Sequence, residues 1–203
     1  MTLIFIVLCL VNLFPALFWM GIYFSKDTGS KEPRRLIFET FLIGMLCTLP
    51  LFLVYYAQAY GLIPSAVGIW GSVFLFVFAF MEEMLKHAGA IHVMKIDKEA
   101  RNELSDGILY AVCAALGFSF AENIFYATSQ LLTTEHTEGL FQLILVRSML
   151  TMFAHTLFSS IFGYLYALAY IAPDMRITTR TSLVVGARAL FRKTKITTFA
   201  FPL

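Results

Sequence analysis

Residues 78–94 read FAFMEEMLKHAGAIHVM. An apolar run leads into adjacent carboxylates, Glu82 and Glu83, followed one turn later by Lys86 and His87. A spacing of four sets Glu82 with Lys86, and Glu83 with His87, on shared helix faces. Charge at membrane depth costs roughly 2.5–3.5 kcal/mol per residue on insertion scales, so residues kept there usually have a use. One reading is a self-neutralising pair near a helix end, with Lys86 snorkelling to the interface. The other is a buried polar site shared with neighbouring helices, because two glutamates and one lysine leave a carboxylate in need of a further partner.

The surrounding composition makes the membrane setting firm. Of 203 residues, 59% are hydrophobic, and mean hydropathy is +0.77. Soluble domains hold about 45–50% apolar residues. Several apolar runs in one short chain indicate a single all-α, polytopic transmembrane helix bundle without room for a sizeable soluble domain. The net charge of +2 gives no reason to expect nucleic acid as a partner. Cys9, Cys47 and Cys113 lie far apart in apolar runs with no CxxC pair, which suits buried apolar thiols and not a disulfide framework or thiolate site. The N-terminus has no basic residues before its long apolar run, so it is expected to be a first span, kinked at Pro15, and not a cleaved signal.

Five spans are expected, at about 3–24, 36–59, 67–94, 107–132 and 140–172. Thirteen of the fifteen basic residues fall between spans one and two, between three and four, or after five. The alternate loops, AYGLIPS and TTEHTEG, contain none. The positive-inside bias then puts the N-terminus outside and the C-terminus in the cytoplasm of a multi-pass cell-membrane protein. Tyr55, Tyr56, Tyr60 and Trp70 would form an outer aromatic belt, and Trp19 and Tyr23 an inner one. Residues 1–176 form the membrane domain in this reading, and 177–203 a basic cytoplasmic tail on the anionic leaflet or free of it.

Two further stretches carry polar residues at depth. Residues 106–127, DGILYAVCAALGFSFAENIFYA, place Glu122 near a span centre, with Asn123 beside it and Ser119 and Tyr126 on its face. Ala111, Ala115, Gly117 and Ala121 would admit a close neighbour helix. Asp106 suits the helix N-terminus. Residues 143–164, LILVRSMLTMFAHTLFSSIFGY, repeat Arg147, Thr151, His155 and Ser159 every four residues, a stripe that should face the bundle interior. Arg147 is placed to hold a carboxylate through a bidentate contact. His92, His136 and Glu39 sit near interfaces and are expected in water.

Several hydrolytic chemistries are unreadable here: no HExxH, no aspartate pair within spans, no GxSxG. What remains is glutamate with histidine. Either a glutamate is the general base on water, with His155 and Asn123 donating to the oxyanion or leaving group, or Glu82 or Glu83, Glu122 and His155 hold a divalent metal such as zinc.

MEEMLK, then DGILY…LGFSFAEN, then the R…H segment, in that order over about residues 80–166, resemble the PrsW family of membrane proteases, similar in plan to the CAAX-processing and Abi proteases. EExxK alone is a weak signal; the ordered set is fairly specific. The resemblance implies a helical intramembrane endopeptidase acting on a membrane-anchored protein, an anti-sigma factor in the bacterial namesake. It also implies active-site positions at Glu82, Glu83, Glu122, Asn123 and His155, with Lys86 in support. It leaves the glutamic and metal mechanisms open. Family members continue into a further His-bearing helix that this sequence does not show, so a shortened or divergent member is expected. A non-catalytic scaffold or immunity factor of the same fold, and an ion or proton carrier, are the alternatives.

Overall fold

The computed structural model describes residues 2–26, 32–63, 68–97, 102–133 and 139–171, and these form an all-α membrane bundle. Its helices are α1 (Thr2–Lys26), α2 (Arg34–Leu46), α3 (Leu49–Ala59), α4 (Ile69–Ile96), α5 (Leu104–Thr133), α6 (Leu140–Val146) and α7 (Met152–Tyr166). A π-helical turn, Arg147–Thr151, joins α6 to α7, and a second, Ala167–Ile171, extends α7.

The hydrophobic pattern explains why α5 is the axis of the bundle. It is apolar on all sides, as a fully enclosed helix must be, and residues 109–120 are all buried. It contributes to each of the three core clusters. Leu109, Tyr110, Cys113 and Ala114 meet Leu36 and Ile37 of α2 and Ala90, Val93 and Met94 of α4. Val112, Leu116 and Phe120 meet Ala16, Phe41 and Met152. Phe118 meets Leu51 and Phe78. By contrast α1, α6 and most of the first half of α4 present large apolar side chains outward, as lipid-facing surfaces do.

Small residues bring backbones together, as expected of membrane helices. A methyl on Gly117 would overlap the Phe41 carbonyl of α2, and one on Gly44 would overlap the Ala114 carbonyl of α5. Gly107 and Gly163 meet in the same way, joining α5 to α7. All three cysteines are free.

Four stretches are long and apolar enough to cross a membrane: Leu3–Ser25, Arg34–Ala59, Leu104–Leu132 and Leu140–Tyr170. The expected third span is α4. It has the length, at 28 residues, but every eighteen-residue window of it contains Glu82, Glu83 and Lys86, more charge than the other four carry.

Two local departures from expectation are found, in the second span and at Tyr55. The second span is two helices, broken at Cys47 and Thr48. Pro50 has no N–H and its ring collides with the carbonyl four residues back, so the chain restarts with Pro50 in the first turn of α3 while the Thr48 hydroxyl donates to the Met45 carbonyl at 2.6 Å. α1 runs helically through Pro15. Its buried Asn12 donates to the Leu8 carbonyl at 2.8 Å and accepts from Ser148 of the π turn at 3.5 Å, a polar tie the apolar pattern hides. Tyr55 is not in a belt with exposed Tyr56, Tyr60 and Trp70; it turns inward. His136 and the tail expected at 177–203 lie outside the described residues.

Candidate active site

α4, α5 and the α6–α7 stretch bring their polar residues to one place. Glu122 Oε2 lies 2.8 Å from Arg147 Nη2 and 3.2 Å from His155 Nε2. Arg147 Nε donates to Asn123 Oδ1 at 2.9 Å. The guanidinium therefore forks across two consecutive residues of α5, where a bidentate grip on one carboxylate was expected. Its plane also covers the Tyr126 ring, 3.9 Å from the centroid. The π turn begins at Arg147; such turns re-aim side chains and recur at functional sites.

Lys86 does not snorkel. Its side chain is fully buried, with Nζ 2.5 Å from Glu83 Oε1 and 2.6 Å from His155 Nδ1. Both i+3 and i+4 neighbours are within reach on a helix. The partner is Glu83, not Glu82, because the ammonium must also reach across to α7. Glu83 Oε2 lies 3.6 Å from His87 Nε2, and the His87 ring stacks on Phe162. Glu82 is half-buried and within Coulombic reach of Glu122, Lys86 and Arg147. Among the described residues it has no hydrogen bond or ion pair.

Other expectations resolve differently. Ser119 and Ser159 are buried, and neither hydroxyl is bonded to a described residue. Tyr126 bonds Tyr55 of α3 at 2.6 Å instead of Glu122. Tyr55 is thus a neighbour of the site that its position in an apolar span did not reveal. Asp106 Oδ2 accepts from the backbone N–H groups of Asn102 and Glu103 at 2.8 and 2.6 Å, closing the start of α5. Sixteen residues of helix, about 24 Å at 1.5 Å per residue, separate it from Glu122, so Asp106 is not part of the cluster. His92 is exposed, and Glu39 pairs with exposed Arg35 at 2.6 Å.

The family model described as PrsW family intramembrane metalloprotease matches residues 32–191. The chain belongs to the PrsW family. Relatives named Protease PrsW include those of Oceanobacillus iheyensis, 33% identical over 74% of this chain and 63% of the relative, and Geobacillus kaustophilus, 28% identical over 80% and 66%. That of Bacillus subtilis strain 168 is 28% identical over 79% and 67%. The chain spans about two thirds of the length of these PrsW relatives. No solved structure matches it. With its apolar helices, membership of PrsW makes it a multi-pass membrane protein.

The metal in that family description can be tested against the donors. A catalytic zinc takes three protein ligands and one open position. Among the described residues no three His, Cys, Asp or Glu side chains converge for a metal. Glu122 and His155 make two, and the positions beside them are taken by the Arg147 guanidinium and the Lys86 ammonium, which have no lone pairs to give. As arranged, these residues do not fit a metal ion.

Proposed function

We propose that the chain is an endopeptidase of the glutamic type, hydrolysing a peptide bond of a membrane-anchored protein with Glu82 as general base. The observation that carries this is the charge count of the cluster. Three carboxylates face two cations; Lys86 takes Glu83 and Arg147 takes Glu122. Glu82 is left with no partner among the described residues, half-buried and within Coulombic reach of the Glu122 and Arg147 that hold the donors.

Glu82 removes a proton from water as the water oxygen attacks the scissile carbonyl. The oxyanion that forms is met by the Asn123 Nδ2 amide, buried and bonded to no described residue, and by the His155 Nε2–H, which shares its donation between Glu122 Oε2 and the new charge. Collapse breaks the carbon–nitrogen bond, and the proton held by Glu82 goes to the departing amine. Proton transfer of this kind contributes about 10²–10⁴-fold, and one pre-aimed oxyanion donor about 10²–10³-fold. Glu122 and Arg147 keep the two donors in place.

The test uses purified full-length chain in liposomes with a library of single-pass membrane proteins, reading new termini by mass spectrometry. Cleavage that persists under chelator and disappears in Glu82→Gln supports the proposal. Cleavage lost to chelator and restored by zinc would replace it with the metal mechanism named by the family description. Undiminished cleavage by Glu82→Gln would remove Glu82 from the role.

A further inference from the structure

The buried ammonium of Lys86 constrains the chemistry of the imidazole beside it. An ammonium has three N–H donors and nothing with which to accept. Those of Lys86 face Glu83 Oε1 at 2.5 Å, His155 Nδ1 at 2.6 Å and the Phe118 ring, whose centroid is 4.9 Å away. A carboxylate accepts, and a ring face attracts a cation. The imidazole nitrogen must accept too, so Nδ1 presents its lone pair. The single proton of the neutral ring then sits on Nε2, 3.2 Å from Glu122 Oε2. The reverse arrangement, with Nδ1 protonated against an uncharged amine, would strip Glu83 of its cation and leave two lone pairs facing each other between Nε2 and Glu122.

We propose that Lys86 is a positioning residue that locks His155 in the neutral Nε2–H tautomer, making the imidazole a hydrogen-bond donor in place of a base or a metal ligand. Donation into Nδ1 polarises the ring and strengthens the Nε2–H bond toward its acceptor. Neither nitrogen keeps a free lone pair. The catalytic meaning of the lock rests on the proposed hydrolysis; its geometry does not.

The experiment is nitrogen NMR of the full chain carrying 15N-labelled histidine in bilayers, with the His155 signals identified by their loss in His155→Gln. The expected result is an unprotonated Nδ1 and a protonated Nε2, unmoved by added zinc. Lys86→Met, of similar length and without charge, should shift His155 to a mixture of tautomers. Protonation of Nδ1 in the unaltered chain, movement of the His155 signals on adding zinc, or an unchanged tautomer in a folded Lys86→Met chain would each overturn the proposal. Should Lys86→Met fail to fold, the unaltered chain's spectrum decides. The same spectrum recorded on Glu82→Gln separates the two ideas: that variant removes the proposed base but should leave the tautomer as it is.

Discussion

Replacing Glu122 by Gln removes the charge that balances Arg147 while keeping the size of the side chain and an acceptor for His155. Glu122 is buried, and the Arg147 side chain is 15% exposed. The variant's guanidinium keeps Asn123 Oδ1 at 2.9 Å and the Tyr126 ring face at 3.9 Å, but has no paired anion, Glu82 being within Coulombic reach only. Breaking a buried ion pair by deleting one member costs about 3–5 kcal/mol. The ring contact, worth about 0.5–2 kcal/mol, remains, so the loss belongs at the lower end, about 3 kcal/mol. For a chain of this size each kcal/mol lowers the midpoint by about 2–4 °C, giving a fall of about 6–12 °C. The decisive comparison adds Arg147→Met. Removing the orphaned cation removes its desolvation cost, so the double variant should be less destabilised than the sum of the two single variants by about 1–3 kcal/mol. Thermal unfolding in detergent micelles, followed by far-ultraviolet circular dichroism, measures all four corners of the cycle. Additive losses would refute the reasoning, because two groups that do not depend on each other are not a buried pair.

Three other outcomes are expected. Glu82→Gln should unfold within about 0.5 kcal/mol of the parent, as half-exposed groups without partners do, while cleavage falls by about 10²–10⁴-fold; a matching loss of stability would show that Glu82 holds the fold. Gly117→Val should cost more than the usual 1–3 kcal/mol of overpacking, since the Cβ meets the backbone of α2 and not a side chain that can turn aside; a near-native midpoint in the same melt would contradict the α2–α5 contact. Asp106→Ala should cost about 0.5–2 kcal/mol, the usual price of a lost helix N-terminal acceptor, with cleavage per folded molecule unchanged; loss of specific activity in the folded fraction would bring Asp106 back into the site.

Much of this architecture is legible in the amino-acid pattern, and what escapes has a common cause. Unbroken apolar character around α5 marks it as the enclosed helix. Recurrence every four residues puts Arg147 and His155 on one inward face, where Glu122 meets both. Periodicity along a single helix is blind to partners on other helices. The spacing of four pairs Lys86 with Glu82, and the ammonium goes to Glu83 because His155 draws it across. It assigns Tyr126 to Glu122, while Tyr55 from the far side of the Pro50 break takes the hydroxyl. Asn12 looks like a stray amide in α1 until Ser148 is beside it. Hydropathy averaged over a window likewise passes smoothly across the break at Cys47 and Thr48.

The π turn at Arg147–Thr151 has a consequence for how this protein tolerates change in length. It accommodates a residue more than an α turn would, so the segment before it and the segment after it run out of phase. Deleting one of residues 148–151 would let the backbone close into ordinary α geometry with the helices on either side keeping their places, whereas a deletion in an uninterrupted α-helix screws everything beyond it round by about 100°. His155 would stay beside Glu122, and the cluster would survive a loss of length that α5 could not absorb. A frame-preserving loss of a single codon in this stretch is therefore a change in slack, where the same loss in the middle of α5 is a change in chemistry.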